Sequence, residues 1–157
     1  MDAVELIGQL ANNLKSCNDV KSKAQKFIWS LAKAFDASQG AFYILVEEDN
    51  KTFAKFEVGY AYFVPESQVV RYELGEGLIG QVAQSGDVIN INVVPEGYIQ
   101  VISGLGKATP SALLVYPVVM AGKVIAVFEI ASFHEFKDDD LLLISKAAEV
   151  LAPLLAN

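Results

Sequence analysis

Residues 75–80 have the types and spacing that could hold a phosphate group. They read Gly-Glu-Gly-Leu-Ile-Gly, which matches the fingerprint whose glycines let a backbone approach the pyrophosphate of a dinucleotide. Three observations argue against that chemistry. The preceding strand alternates with Arg71 and Glu73 instead of being continuously apolar, the run that follows is stopped early at Gly86, and Glu76 would repel a phosphate. We therefore expect these glycines to be needed for the backbone conformation rather than for binding a phosphate group.

Cys17 and His134 are each the single residue of their type in the chain. One cysteine allows no disulfide within the chain, which favours a reducing, cytoplasmic location. One histidine leaves no multi-histidine metal site. We expect His134 on the surface, Cys17 on a helix outside the expected ligand cavity, and neither a metal nor a cofactor in the protein.

The composition narrows the classes of partner. The 157 residues carry a formal net charge of −7, which disfavours nucleic acid and anionic membrane surfaces, since both need clustered lysine and arginine. No run approaches the roughly 20 apolar residues of a membrane span. With 53% hydrophobic residues, the chain is predicted to form one globular domain over residues 1–157.

Apolar periodicity divides the chain into helices and strands. Helical spacing occurs in residues 4–14, 20–35, 78–84 and 141–155, and strand patterns occur at 41–47, 52–62, 69–74, 88–93, 112–119 and 124–131. Turns are expected at 48–50 and at 121–122, and residues 95–110 are expected to be irregular. Pro153 is expected to kink or stop the last helix.

The hairpin at 121–122 assigns the last two strands to faces. Counting back from a two-residue loop gives one wholly apolar face, which the terminal helices should cover: Leu113, Val115, Pro117, Val119, Val124, Ala126, Phe128 and Ile130. The other face carries Tyr116 and Glu129 among aliphatic residues. A concave apolar surface with few polar groups is typical of small-molecule pockets, so Tyr116 and Glu129 are candidate ligand contacts. A bulge at Pro117 would reverse part of this assignment.

Four segments of the chain together resemble the GAF domain family, most closely the GAF domains of bacterial sensor proteins such as histidine kinases. They are Leu-Gly-Glu-Gly-Leu-Ile-Gly-Gln-Val-Ala-Gln-Ser-Gly at 74–86, Ile-Ser-Gly-Leu-Gly at 102–106, Leu-Leu-Val-Tyr-Pro-Val at 113–118 and Val-Ile-Ala-Val-Phe-Glu-Ile-Ala-Ser-Phe at 124–133. The resemblance covers residues 20–152. It implies an α+β, GAF/PAS-like fold with an antiparallel β-sheet of about five or six strands. The N- and C-terminal helices would lie on one face, and a cavity covered by a short helix and loops on the other.

The same resemblance supplies further candidate site residues. It implies that residues 77–109 close the cavity, with Tyr98 as a lid residue and Ser103 in a closing loop. Tyr43 and Tyr72 are candidate ligand contacts as well, although cross-strand packing is the alternative role for both. For Tyr116 and Glu129 the alternative role is structural, in which the two side chains hydrogen-bond to each other or to a backbone group inside the domain.

The residues that the chain lacks separate the subtypes of this family. A free methionine sulfoxide reductase of this fold uses several cysteines, and bilin-binding relatives need a cysteine beside the pocket. The Asn-Lys-Phe-Asp-Glu signature of cyclic-nucleotide-binding members is also missing, because residues 131–134 read Ala-Ser-Phe-His. The resemblance therefore implies a non-catalytic domain rather than an enzyme.

Two hypotheses remain for the function. The first is a sensory or regulatory domain that binds a small cytosolic molecule in signal transduction. The alternative is a protein-interaction or dimerisation module with a degenerate, ligand-free cavity. Residues 1–17 are a candidate dimerisation element, so a homodimer through the terminal helices is expected, with an output kinase or another signalling domain as a further partner.

Overall fold

A computed structural model describes residues 2–65, 67–92, 101–103, 106–108 and 110–156, with the backbone alone for the two short ranges between 101 and 108. The helices are α1 (Ala3–Lys15), α2 (Val20–Ala34), α3 (Gly77–Ser85) and α4 (Asp138–Ala156). The strands are β1 (Ala37–Glu48), β2 (Lys51–Tyr60), β3 (Arg71–Glu73), β4 (Ile89–Ile91), β5 (Val101–Ser103), β6 (Gly106–Ala108), β7 (Ala112–Met120) and β8 (Lys123–Ser132). The predicted helices and strands are therefore present, although β3 and β4 are shorter than expected.

Six strands form one antiparallel sheet in the order β3-β2-β1-β8-β7-β4. The remaining two, β5 and β6, pair with each other, so the prediction that residues 95–110 are irregular is wrong for 101–103 and 106–108. The sheet and its helices confirm the predicted α+β architecture. The strands β1 and β8 lie at the centre of this sheet.

Aromatic rings dominate the core between the sheet and the helices α1, α2 and α4. Phe27 of α2 packs edge-on against Phe42 of β1 and Phe128 of β8, with ring centroids 6.0 and 5.1 Å apart. All three side chains are fully buried. A second apolar cluster lies on the opposite face of the sheet, where α3 packs on β7 and β8. The predicted distribution of helices over the two faces is confirmed.

Local signals fix the ends of several elements. The side chain of Asp2 accepts a hydrogen bond from the Glu5 backbone N–H, and Asp19 accepts one from Ser22 in the same way. These two aspartates therefore cap α1 and α2 and satisfy amides that have no partner inside the helix. At the β7–β8 hairpin, Ala121 has a φ of 53°, in the left-handed region that two-residue turns require.

The last helix continues through Pro153 and ends at Ala156. Of the two predicted effects of Pro153, a kink or a stop, the stop is therefore wrong and the kink stays a prediction. Proline there removes one intrahelical hydrogen bond close to the end, where the loss is small because the terminal turn has few bonds left to lose. Lys23 Nζ of α2 donates a hydrogen bond of 2.9 Å to the carbonyl of Leu154, which joins the last turn of α4 to α2.

The apolar stripes of the terminal helices are used inside the domain. Leu10 and Leu14 of α1 and Ile144 and Leu151 of α4 are all buried in the helix-side core. Among the described residues, no helix has both the length and the apolar character needed to cross a membrane.

Charged side chains pair across the strands β1, β2 and β3 at one side of the sheet. Arg71 Nη1 lies 2.8 Å from Glu48 Oε2, and Lys51 Nζ lies 3.2 Å from Glu73 Oε1. The guanidinium of Arg71 also lies 4.1 Å from the centre of the Phe53 ring. These pairs are largely exposed, so each contributes little to stability by itself.

Candidate functional site

A cavity of about 190 Å³ lies between the sheet and α3. Its described lining comes from the first half of β1, the segment after β2, the strand β3, the start of α3 and the strand β8. The residues are Gln39, Gly40, Ala41, Tyr43, Tyr62, Tyr72, Gly77, Leu78, Ile79, Glu129 and Ala131. This volume is smaller than the roughly 300–1,000 Å³ typical of sites for drug-sized ligands.

The glycine motif places α3 against the cavity. Gly75 has a φ of 85°, which turns the chain out of β3, and its N–H donates a 2.8 Å hydrogen bond to the Gly80 carbonyl. A Cβ on Gly80 would come within 2.3 Å of the Glu73 carbonyl oxygen. The motif therefore exists for backbone conformation and close approach, as expected. The strand that follows α3 pairs antiparallel with β7, which is not the parallel unit of a dinucleotide fold.

Glu129 supplies the buried carboxylate of the cavity. It lies on β8 directly opposite Val115 of β7 and Ala41 of β1, and only 9% of it is exposed. Its neighbours across both ladders are thus small or aliphatic residues. The low polarity of such surroundings strengthens the interaction of this group with any charge nearby.

Tyrosines form the aromatic side of the cavity. Tyr43 packs edge-on against Tyr72, with ring centroids 5.8 Å apart, and against Phe56 at 5.9 Å. Phe56 in turn packs against Tyr62 at 5.7 Å. Tyr62 remains 38% exposed, so the cavity reaches solvent on this side.

The environment of Tyr72 reports on the polarity of the cavity. Partial burial raises the pKa of this phenol, and nearby Tyr62, Glu129 and Glu76 raise it further. A hydrogen bond with the Tyr43 side chain acts in the opposite direction. Burial is the largest cause, because it disfavours the charged phenolate, and the negative charges of Glu129 and Glu76 act in the same direction.

The comparison with known proteins identifies the family. The family model described as GAF domain matches residues 17–156. The chain belongs to the GAF domain family. The sequence matches no protein of curated function at a significant level.

Solved GAF domains share the fold at low sequence identity. The GAF domain of Acinetobacter phosphoenolpyruvate-protein phosphotransferase superposes with a TM-score of 0.79 and 19% identity, covering 99% of this chain and 95% of that one. The free methionine-R-sulfoxide reductase of Neisseria meningitidis, in complex with its substrate, gives 0.75 and 18% over 98% and 88%. The A. aeolicus Nlh2 GAF domain in an inactive state gives 0.73 and 20% over 98% and 95%. These likenesses establish the fold, which both regulatory domains and an enzyme share.

One candidate ligand contact of this GAF domain, Tyr116, lies on the face of the sheet opposite the cavity. Tyr116 pairs with Phe128 and stacks on its ring at 5.4 Å, on the helix side of the sheet, so the prediction that Tyr116 and Glu129 share a face is wrong. The cause is a bulge in β8. Val118 pairs with Ala126 and Val119 with Val124, which leaves Ile125 as an extra residue and shifts the register by one.

The other predicted contacts have different outcomes. Glu129, Tyr43 and Tyr72 all line the cavity of the GAF domain, and their roles as ligand contacts stay predictions. Tyr98 lies outside the described residues, and for Ser103 the structure describes the backbone alone, within β5. The roles of Tyr98 and Ser103 therefore stay predictions.

Several lining residues were missed from the sequence, Gln39 among them. The first strand was predicted to begin at residue 41, whereas β1 begins at Ala37. Extending the two-residue alternation back from Tyr43 would have reached Ala41 and then Gln39. Leu78 and Ile79 could have been inferred from the predicted position of α3 over the cavity.

The potentially reactive side chains lie away from the cavity. Cys17 follows α1, and its Sγ donates to the Asn13 carbonyl at 3.3 Å. His134 is exposed, as predicted, with Nε2 3.5 Å from Asp36 Oδ2. Among the described residues, no three histidine, cysteine or carboxylate side chains group as metal ligands.

Proposed function

We propose that this GAF domain is a non-catalytic sensory or regulatory domain that binds a small cytosolic molecule in signal transduction. The observation that carries the proposal is the cavity between α3 and the sheet, which combines an apolar lining with the buried Glu129 and three tyrosines. The single cysteine supports a cytoplasmic location, because the chain lacks an internal disulfide partner for it.

Strand β8 offers a direct route from the cavity to the helices. Glu129 and Ala131 line the cavity, while Phe128 and Ile130 between and beside them pack into the helix-side core. A ligand that binds more tightly to one position of β8 than to another would favour that position, by a free energy equal to the difference between the two binding free energies. The packing of α2 and α4 against β8 would change with it. An output kinase or another signalling domain would then respond to the changed packing of these helices.

The chemistry of the lining supports a non-catalytic role. Reductases of this fold use several cysteines, whereas Cys17 is the single cysteine and is not among the residues that line the cavity. The titratable groups in the described lining are Glu129 and three tyrosines. None of these is a thiol, so the lining offers no nucleophile of the kind that a sulfoxide reductase needs.

The interaction-module hypothesis has its own supporting observation. Val4 of α1 is 82% exposed, Leu142 of α4 is 58% exposed, and Trp29 of α2 is 41% exposed. A homodimer would have to use these outer faces, because the inner stripes of α1 and α4 are already buried. Light scattering at increasing protein concentration tests this, and the mass of a single chain throughout would count against the dimer.

A plug in the cavity tests the sensory proposal. Leu78 lines the cavity and is half-buried, so Leu78→Trp should fill the space while the larger ring reaches solvent. Leu142→Trp on α4 is the matched control, because it makes the same change at an exposed site outside the cavity lining. Protein purified from cells would be analysed by native mass spectrometry, and any molecule released on denaturation would be identified.

We expect wild-type protein and Leu142→Trp to retain the same small molecule. We expect Leu78→Trp to retain at least about tenfold less, because a packed interior has little room for added volume. Wild-type protein without any retained molecule, or equal retention in both variants, would favour the interaction module.

A further inference from the structure

The outer face of α2 concentrates positive charge on an acidic protein. This helix contributes four of the 12 lysine and arginine residues and no aspartate or glutamate, whereas the whole chain has a formal net charge of −7. Lys23 is engaged by the Leu154 carbonyl, and Lys21 lies near the capping residue Asp19. Lys26 and Lys33 are exposed, and neither forms an ion pair with any residue that the structure describes.

Trp29 lies between these two lysines on the same stripe of the helix. The three residues are spaced three and four apart, which places them on one face. The indole packs edge-on against Tyr60 of β2 with ring centroids 5.4 Å apart, and Lys33 Nζ lies 5.8 Å from the ring centre. It is nevertheless 41% exposed. A large ring that is already held in place and still faces solvent is the kind of side chain that anchors protein interfaces.

A groove of about 360 Å³ lies along this stripe, beside the segment that joins α1 to α2. Its described lining is Cys17, Ser22, Gln25, Lys26 and Trp29, which includes a cation and no carboxylate. The opposite side of α2 is fixed in the core, where Phe27 and Leu31 are fully buried. The groove is therefore presented on a helix that is held in place by packing.

Charge complementarity selects the kind of occupant. Carboxylates would accept charge-assisted hydrogen bonds from the ammonium groups of Lys26 and Lys33, and an apolar side chain between them would cover the indole of Trp29. The remaining acidic residues act weakly at this face wherever they lie beyond about 8 Å, because salt screens exposed charges over that distance. A nucleic acid would need more cationic contacts along its backbone than two unpaired lysines provide.

We propose that the outer face of α2 docks an acidic segment of a partner protein, with Lys26 and Lys33 pairing with its carboxylates and Trp29 packing against an apolar side chain. This docking surface belongs to the helix side of the sheet, whereas the cavity lies under α3 on the other side. It is thus a second site, and it does not depend on a ligand in the cavity.

The fluorescence of Trp29 tests the proposal directly, because the chain has a single tryptophan. The probes are a short acetylated peptide of glutamate and leucine, the same peptide with glutamine in place of glutamate, and a single-stranded oligothymidylate with as many charges as the acidic peptide. Each would be titrated into wild-type protein at low and at high salt, and into two double variants.

The first variant, Lys26→Gln with Lys33→Gln, removes the two ammonium groups of the docking surface. Lys123→Gln with Lys137→Gln is the matched control, since both of these lysines are exposed and lie outside the groove lining. Each titration is compared with the probe-free spectrum of the same variant, because Lys33 contacts the indole.

We expect the acidic peptide to move the emission of Trp29 to shorter wavelength in a saturable way, as the ring loses contact with water. It should bind at least about tenfold more tightly than the glutamine peptide, and high salt should weaken it. The variant at Lys26 and Lys33 should lose at least about tenfold in affinity, whereas the control should stay within about twofold of wild-type protein.

Other outcomes overturn the proposal. Equal binding of the two peptides, or no emission change with either, would refute the acidic partner, and equal losses in the two double variants would show that only net charge matters. Tighter binding of the oligothymidylate would assign the face to nucleic acid. Self-association of wild-type protein in light scattering that disappears in the variant at Lys26 and Lys33 would assign it to a second copy of the chain. None of these results changes the molecule retained in the cavity, so the proposed function is tested separately.

Discussion

Glu129 and Phe128 are consecutive residues of β8, and their side chains lie on opposite faces of the sheet. Glu129 lines the cavity under α3, while Phe128 packs against Phe27 of α2. One strand thus contacts the candidate ligand on one side and the helix-side core on the other. A change in the position of β8 must alter both surfaces, since strand backbones move with the side chains of both faces.

Phe128→Ala tests the contribution of the helix-side core. Its ring is fully buried among Phe27, Phe42 and Tyr116, so we expect a loss of about 3–5 kcal/mol in the free energy of unfolding. Phe133→Ala, at a ring that is 45% exposed, should change stability by less than about 1 kcal/mol. Urea denaturation measures both, and equal effects would contradict the assigned packing.

Gly80→Ala and Gly8→Ala form a matched pair within helices. A Cβ at Gly8 meets nothing within 4 Å, so alanine should stabilise α1 by about 0.5–1 kcal/mol. A Cβ at Gly80 would collide with the backbone of Glu73, so alanine should destabilise the protein by about 1–3 kcal/mol despite its better helix propensity. Thermal unfolding of the two variants shows whether each change stabilises or destabilises the protein. Stabilisation by Gly80→Ala would refute the close approach of residue 80 to the Glu73 backbone.

Tyr72 should make stability depend on alkaline pH. Burial raises its pKa above the ordinary value of 10.0, so the folded state holds the proton to a higher pH than the unfolded state does. The resulting stabilisation is full below the unfolded pKa and is lost as pH rises through the folded pKa. The urea midpoint should therefore fall more from the low-pH side to the high-pH side of this window for wild-type protein than for Tyr72→Phe. An equal fall would contradict the shift.

Two substitutions should move the pKa of Tyr72 in opposite directions. Tyr43→Phe removes the hydrogen bond that lowers it, so the pKa should rise further. Glu76→Gln removes a nearby negative charge, so the pKa should fall. NMR titration of protein labelled at the tyrosine Cζ measures both changes. Shifts of the same sign would show that another group dominates.

Cys17→Ser tests whether the domain is an enzyme. The thiol donates to a backbone carbonyl and lies outside the cavity lining, so serine should leave stability and retained ligand unchanged. A coupled assay with free methionine-R-sulfoxide should show no turnover above background for either protein. Turnover that disappears in Cys17→Ser would refute the non-catalytic assignment.

Local signals made most of the architecture predictable from the sequence. Helical apolar spacing marked the four described helices, and Ala121 with Gly122 marked the hairpin. The glycines at 75–80 were correctly assigned to the backbone because the neighbouring residues did not fit a phosphate site. Such signals act between residues close in the chain, where propensity and turn geometry determine the outcome.

The faces of β7 and β8 were less predictable, for a physical reason. Both strands are apolar on both sides, so the sequence shows no alternation that would reveal the extra residue at Ile125. The bulge depends on packing between strands and carries no turn residue to mark it. Glu129 was placed correctly because it is the single charged residue within 124–132, whereas the assignment of Tyr116 depended on the register.

The paired charges on β2 and β3 have a consequence for the behaviour of the protein in concentrated solution. β3 is an edge strand of the sheet and is three residues long. Its Glu73 pairs with Lys51 of the neighbouring strand β2, and its Arg71 pairs with Glu48 at the end of β1. A short edge of alternating charge is a poor template for another chain to extend by strand addition. The side of the sheet beside the tyrosines is thereby protected against amyloid-like aggregation.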